Sequence, residues 1–156
     1  MLGQQVMDRP AATGPGSKAS RWLRIVPWAA QRGVAGILAQ TLFFKFTYAP
    51  ETQVIFADRG GRPAATLLGL VELACVVLLL IPRTAAIGAV LSLLVISGAI
   101  FTHLTSLGIS IPVAPGSEEK DGGLLFALAI LVAVGAGVVL AFRRHELPGL
   151  FYRGRG

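Results

Sequence analysis

Four ionisable residues lie within or beside long apolar segments, where a charge is hardest to accommodate. They are Lys45 near the end of the first segment, Glu72 in the middle of the second, His103 near the end of the third, and Asp121 just before the fourth. An acidic or basic side chain at the centre of a bilayer costs about 2.5–3.5 kcal/mol on insertion scales. Such residues are therefore expected to pair with each other, bind a ligand or exchange protons.

Glu72 is the deepest of the four and carries the strongest functional signal. It lies about nine residues into the predicted second span, roughly 13 Å at 1.5 Å per residue. Side chains lean toward the N-terminus of their own helix, so Glu72 leans outward while Lys45 and His103 lean toward the membrane centre. We therefore predict a cluster of Lys45, Glu72 and His103 in the outer half of a helical bundle, binding a ligand or exchanging protons.

A structural explanation of the same three residues is the alternative. Lys45 would extend to the lipid headgroups, His103 would lie at the membrane interface, and Glu72 would hydrogen-bond a neighbouring helix. Helical phase favours the cluster, because two spans each have a narrow face of small and polar residues that would enclose a cavity. These faces comprise Ala65, Gly69, Glu72 and Cys75 on the second span and Ser92, Ala99, His103 and Ser106 on the third.

Asp121 and Cys75 are weaker candidates. Asp121 precedes Gly122 and Gly123 and is predicted first as an N-cap of the fourth helix, with a role in the site second. Cys75 is the single cysteine of the chain. It excludes an intramolecular disulfide and a multi-cysteine metal cluster, and we predict a small, inert, buried residue there. No catalytic residue and no metal ligand set is assigned.

The elements that must position these residues are predicted from composition. The 156 residues are 54% hydrophobic and 14% charged, with a mean hydropathy of +0.70. The apolar residues form four blocks, each near the ~20 residues that a helix needs to cross ~30 Å of hydrocarbon. We predict an all-α fold, an antiparallel up-down bundle of four transmembrane helices. Its spans are residues 28–46, 63–81, 84–107 and 122–142, between a disordered tail at 1–20 and a basic cytoplasmic tail at 143–156.

The distribution of positive charge predicts the orientation. Ten cations fall on the side of the termini: Arg9, Lys18, Arg21, Arg24, Arg32, Arg83, Arg143, Arg144, Arg153 and Arg155. The other side has Lys45, Arg59, Arg62 and Lys120. The positive-inside rule makes the first side cytoplasmic, so both termini are cytoplasmic in a multi-pass protein of the inner membrane. This topology explains the net charge of +6, and the basic residues form no stripe for nucleic acid.

Loops and packing faces complete the prediction. Pro82-Arg83 is the short cytoplasmic hairpin with Thr84 as N-cap of the next helix, and segments 48–62 and 108–121 are the outer loops. The segment 50–56 is either one turn of interfacial helix, a candidate lid, or an ordinary loop. On the fourth span a stripe of small residues predicts a face that packs within the bundle or against a second copy of the chain. The stripe is Ala129, Ala133, Gly137 and Ala141.

Motifs in all four spans resemble the DoxX-like family of small four-helix membrane proteins. They are Phe44-Lys45-Phe46 with Ala49-Pro50-Glu51, Gly69-Leu70-Val71-Glu72-Leu73, Ile81-Pro82-Arg83-Thr84-Ala85-Ala86-Ile87-Gly88-Ala89, Thr102-His103-Leu104 and Asp121-Gly122-Gly123. Their order and spacing over residues 33–142 carry the likeness. The resemblance implies an accessory membrane subunit of a redox system, with partner subunits in the membrane and a quinone as the small molecule.

Three functions follow as hypotheses. The first is a redox-associated component in which Lys45, Glu72 and His103 line an outward-opening pocket for a polar-headed molecule such as a quinone. The second is a small carrier or channel in which Glu72 binds a proton or cation, and the third is a scaffold in which the cluster only locks the helices. The sequence has no ligand set for haem, flavin or an iron–sulfur cluster, and a stand-alone enzyme is not predicted.

Overall fold

The computed structural model of the chain describes residues 16–144 and residue 146. The helices are α1 (Gly16–Thr47), α2 (Pro50–Phe56), α3 (Gly61–Leu80), α4 (Ala85–Thr102), a π-helix (His103–Leu107) that continues α4, and α5 (Leu124–Arg143). Within these residues there is no strand, only one isolated bridge between Pro112 and Lys120. The predicted all-α class is confirmed.

Three helices are long and apolar enough to cross a membrane. They are Gly61–Leu80, Ala85–Leu107 and Leu124–Arg143, whose bounds lie within two residues of the second, third and fourth predicted spans. The first predicted span lies in α1, which is longer but carries polar residues along its length. They include Gln31, Arg32, Gln40, Thr41 and Lys45. The three apolar helices indicate a multi-pass membrane protein.

The four long helices pack in a ring. Helix α1 contacts α3 and α5, and α4 contacts the same two helices. Small residues allow close approach, as membrane helices require. A Cβ added at Gly88 would lie 2.7 Å from the Leu79 amide nitrogen, and one at Gly135 would lie 2.6 Å from Val34 Cγ2. The buried core includes Val34, Leu38, Leu42, Cys75, Val76, Leu79, Ala89, Ile96, Ala129, Val132, Ala136 and Val139.

The predicted disordered tail, residues 1–20, overlaps the first helix. Helix α1 begins at Gly16, so residues 16–20 are helical, while residues 1–15 lie outside the described part of the chain. Pro27 does not break the helix and is buried within it. A proline removes one backbone hydrogen bond and its ring crowds the preceding turn, and packing against neighbouring helices offsets this cost. The chain therefore enters the bundle as one continuous helix.

The hairpin between α3 and α4 is as short as predicted, but Thr84 acts differently. Thr84 occupies the N-cap position of α4 without a capping hydrogen bond from its side chain. Its hydroxyl instead donates to the carbonyl of Leu78 at 3.0 Å or of Ile81 at 3.3 Å. The predicted N-cap position is confirmed, but the hydroxyl bonds carbonyls at the end of α3 and in the hairpin instead of an amide of α4.

The small-residue stripe on α5 agrees with its packing face only at the N-terminal end, where Ala129 is buried and Ala133 packs against the core. Ala129 is buried, but Ala141 at the other end of the stripe is exposed. The buried positions are Ala129, Val132, Ala136, Val139 and Arg143. A strict spacing of four drifts by about 40° per step around a helix of 3.6 residues per turn, so the stripe rotates away from the core. Spacings of three and four alternate along the true face.

Arg143 closes the hairpin end of the bundle, the end that carries Pro82 and Arg83. It was predicted to begin the basic tail, but it is the last residue of α5 and is 8% exposed. Its guanidinium donates to the Pro82 carbonyl at 2.9 Å and pairs with Glu146 at 3.1 Å. It also lies 5.1 Å from the Trp28 ring centroid. The rest of the predicted tail, apart from residues 144 and 146, lies outside the described residues.

Candidate functional site

Lys45 and Glu72 form a buried ion pair at the opposite end of the bundle, the end that carries α2. Lys45 Nζ lies 2.8 Å from Glu72 Oε2, and the two side chains are 14% and 6% exposed. Thr41, one turn before Lys45 on α1, lies with its hydroxyl 3.1 Å from the same carboxylate oxygen and 2.8 Å from the Leu38 carbonyl. Glu72 thus joins α3 to α1 through a charge-assisted contact, the stronger class of hydrogen bond.

The face of α3 that presents Glu72 agrees with the predicted one. Ala65, Gly69, Glu72 and Cys75 are all buried in the structure. The face of α4 agrees only in part, because Ser92 and His103 are buried and Ser106 is exposed. Ser106 lies in the π-helix, whose wider turn shifts the helical phase after His103.

His103 is held at the point where α4 becomes a π-helix. Its ring is 5% exposed and lies edge-on to Phe126, with the ring centroids 5.6 Å apart. Its Nδ1 lies 2.8 Å from the Gly108 carbonyl, and the Gly108 amide donates to the His103 carbonyl at 2.8 Å. A carbonyl only accepts, so the proton of the neutral ring is on Nδ1 and Nε2 is a hydrogen-bond acceptor.

A small cavity brings together the three residues that were predicted to cluster. Its volume is about 100 Å³, and Thr41, Lys45, Glu72 and His103 are its polar lining. The remaining walls are apolar and come from α1, α2, α4 and α5: Ile37, Leu38, Ile55, Ile96, Ala99, Leu125, Leu128, Ala129 and Val132. Few polar groups in an apolar cavity between helices are typical of a site for a small molecule.

A second, larger cavity shares a wall with the first. Its volume is about 280 Å³, and the residues common to both are Thr41, Lys45, Ile55, Leu125 and Leu128. Helix α2, which the sequence offered as one of two alternatives, is formed and contributes Glu51, Thr52, Ile55 and Phe56 to this cavity. The larger cavity is close to the ~300 Å³ lower bound of ligand pockets. Lys45 borders both spaces.

Asp121 lines the larger cavity, but its carboxylate is engaged with the backbone. Oδ1 accepts from the amides of Ile111 at 2.9 Å and Gly123 at 3.0 Å and from the Ser110 hydroxyl at 3.2 Å, and Oδ2 accepts from the Leu125 amide at 3.0 Å. Burial alone would raise the pKa of Asp121, but these four hydrogen bonds outweigh it and lower the pKa below its ordinary value of 3.8. The N-cap residue of α5 is Gly123, so the predicted N-cap position of Asp121 is wrong. From two residues earlier, Asp121 still binds amides at the start of α5 and at the end of the preceding loop.

Replacing Asp121 by asparagine keeps one acceptor oxygen but removes the charge and the oxygen that accepts from the Leu125 amide, so we expect stability to fall by about 1.5–3 kcal/mol. The folded pKa of Asp121 lies below 3.8. Its stabilisation is therefore present above the unfolded pKa and is lost as the pH falls through the folded pKa. Thermal unfolding between pH 7 and pH 3 should show wild type converging on Asp121→Asn in acid. A constant difference at every pH would contradict this role.

Sequence reasoning missed Thr41, Glu51 and the π-helix after His103. Thr41 carried a usable signal, because a spacing of four residues places it on the Lys45 face of α1. The glycine at position 108 was a signal for the end of the π-helix, because glycine tolerates a positive φ. The π-helix does end there, at a φ of 81°. Glu51 carried none, because its direction depends on how α2 folds over the bundle.

Comparison of the chain with models of protein families, with curated proteins and with solved structures found no match. The site is therefore interpreted from its own geometry. Groups of three or more histidine, cysteine, aspartate or glutamate residues that could hold a metal ion are absent from the described residues. The polar groups around the cavities are suited to hydrogen bonding and to proton exchange.

Proposed function

We propose that this chain is a membrane protein that binds a small, polar-headed and lipid-soluble molecule between α1, α2, α4 and α5, beside Glu72 of α3. A quinone is the first choice of ligand, and an accessory place in a membrane redox system is the first choice of role. The motifs that resemble the DoxX-like family support this role.

The observation that carries the proposal is the Lys45–Glu72 ion pair in the wall of a cavity. A pair that served only to join helices would be expected inside close packing, where each charge is surrounded by protein. Here the 2.8 Å pair borders about 100 Å³ of unfilled space with Thr41 and His103 beside it. Ionisable residues in membrane spans usually mark a binding site or a proton path.

The remaining hydrogen-bonding capacity of the pair suits a quinone head. A lysine ammonium has three protons, and Glu72 takes one of them. The other protons are available to a ligand carbonyl. The apolar walls, including Ile55, Leu125 and Leu128, favour a ring and a short hydrocarbon chain by burying them.

The test is binding to the purified protein in lipid nanodiscs, measured by isothermal titration calorimetry with empty nanodiscs subtracted. A fully substituted benzoquinone with a decyl chain is the probe, because full substitution prevents addition of Cys75 to the ring. Binding is expected for wild type and for Glu118→Gln, a control in an exposed loop. It is expected to fall about tenfold or more in Lys45→Met, where a hydrogen bond to a charged group is lost.

Equal binding by Lys45→Met and wild type would remove the cavity as the site. Absence of binding of both the benzoquinone and its reduced form in wild type would leave the scaffold as the better description, provided that the Lys45 and Glu72 variants are less stable. Proton flux in proteoliposomes that depends on Glu72 would instead favour the carrier.

We further propose that α1 is a fourth span and that both termini are cytoplasmic in an inner membrane. The excess of arginine and lysine at the hairpin end and at both termini supports this orientation. Helix α1 has 32 residues, about 48 Å at 1.5 Å per residue, which exceeds the thickness of the hydrocarbon. Its contacts with α3 and α5 place it beside two apolar helices.

Cysteine labelling tests this topology directly. In a Cys75→Ala background, single cysteines are introduced by Arg21→Cys, Asp58→Cys, Arg83→Cys or Glu118→Cys, all at exposed positions. In sealed right-side-out vesicles, a membrane-impermeant maleimide is expected to label only Asp58→Cys and Glu118→Cys. Permeabilised vesicles are the control and should label all four. Labelling of both Arg21→Cys and Asp58→Cys in sealed vesicles would contradict a crossing by α1.

A further inference from the structure

Glu51 lies in the wall of the larger cavity, and one of its carboxylate oxygens is an unused hydrogen-bond acceptor that the carboxylate must turn to expose to a ligand. It lies on α2 and is half-buried, and its Oε2 is buried with no hydrogen-bond partner among the described residues. A buried carboxylate oxygen without a donor costs the desolvation free energy of a charged group. A ligand that donates a hydrogen bond would remove this cost.

His103 supplies a second acceptor in the adjoining cavity. Its Nδ1–H donates to the Gly108 carbonyl. The other ring nitrogen, Nε2, can therefore only accept a hydrogen bond while the ring is neutral. Two other polar residues of the larger cavity, Thr52 and Gln40, donate no hydrogen bond to Glu51. Thr52 donates its hydroxyl to the Phe44 carbonyl at 3.1 Å, and Gln40 is exposed. Donors from the ligand are therefore needed on both sides of the shared wall.

Lys45 in that shared wall limits the kind of donor. A ligand ammonium has no lone pair and cannot accept a hydrogen bond from Lys45. A hydroxyl group suits both demands, because its oxygen accepts from Lys45 and its proton goes to Glu51 or His103. A quinone carbonyl has no proton and would leave Glu51 Oε2 without a partner.

We propose that the cavity takes the reduced, dihydroxyl form of its ligand, a hydroquinone, in preference to the quinone, with Glu51 as the residue that discriminates between them. The inference rests on the proposed function and adds to it the redox form that is bound. Glu51 acts here as a binding residue.

The experiment compares three fully substituted decyl ligands under argon, each titrated into the protein in nanodiscs. They are the benzohydroquinone, the matching benzoquinone and the dimethyl ether of the hydroquinone, which keeps the shape and lacks the protons. Wild type is expected to bind the hydroquinone about tenfold or more tightly than the other two, since a hydrogen bond to a charged group is gained. The protein variants are Glu51→Gln and the loop control Glu118→Gln.

Glu51→Gln is expected to reduce the preference for the hydroquinone, because glutamine also donates and can bond a quinone carbonyl. Glu118→Gln should keep the wild-type preference. Binding of quinone and hydroquinone with equal affinity would overturn the inference while the proposed function stands. A preference that is unchanged in Glu51→Gln would overturn the role of Glu51. If none of the three ligands binds, the proposed function fails together with the inference.

Discussion

Glu72→Gln, with Lys45 left in place, is expected to destabilise the protein by about 3–5 kcal/mol, because it leaves an unpaired buried charge. At roughly 2–4 °C per kcal/mol for a chain of this size, the thermal midpoint should fall by about 10 °C. Lys45→Met should have a similar effect through the unpaired Glu72 carboxylate. Unfolding is followed by a fluorogenic maleimide that reacts with Cys75, which is fully buried in the folded protein.

The double variant Lys45→Met with Glu72→Gln separates pairing from other effects. Removing both charges leaves no unpaired ion, so its thermal midpoint should lie above that of either single variant. Glu118→Gln is the matched control and should unfold at the wild-type temperature, because Glu118 is exposed. A double variant that falls by the sum of the two single effects would show that Lys45 and Glu72 do not stabilise each other.

Ala99→Phe is expected to abolish ligand binding, with an affinity at least about a hundredfold weaker, or about 2.8 kcal/mol. Ala99 lines the small cavity from α4. A ring placed there fills the space beside Lys45 and Glu72 that the ligand head would occupy. Calorimetric titration of the decyl benzoquinone and of the decyl hydroquinone is the measurement.

The control for this substitution is Ala127→Phe. Ala127 is exposed on α5 and lines neither cavity, so the same substitution there should leave binding unchanged. Overpacking costs about 1–3 kcal/mol, and Ala99→Phe should therefore still fold. Its folding is checked by the Cys75 labelling curve. A folded Ala99→Phe protein that binds either ligand as tightly as wild type would place the ligand outside the small cavity.

Most of the architecture could be predicted from the sequence because a lipid environment permits few kinds of backbone structure. Apolar segments of about 20 residues give helices of the right length, and lipid leaves no partner for an unpaired backbone group. The second to fourth spans were therefore located within two residues. The start of α1 was missed, because local composition at residues 16–20 gave no sign of the helix that continues into the bundle.

The α3 face that contains Glu72 also followed from helical periodicity, whereas the α4 and α5 faces did not follow completely. The π-helix after His103 exposes Ser106, and the strict spacing of four on α5 carries Ala141 away from the core. Both departures depend on the precise number of residues per turn, which a pattern of small residues does not encode. Spacing predicts a face well only over two or three turns.

The sequence by itself determined that Glu72 needs a partner, because an isolated carboxylate in hydrocarbon is too costly, and it limited the candidates to groups on neighbouring helices. Only the tertiary structure decided that Lys45 is this partner at 2.8 Å and that Thr41 shares the carboxylate. It also decided that Asp121 binds the Ile111 amide of the preceding loop as well as amides of α5, and that Glu51 lines a cavity. Pairing depends on the rotation of each helix about its axis, and close packing between helices sets that rotation.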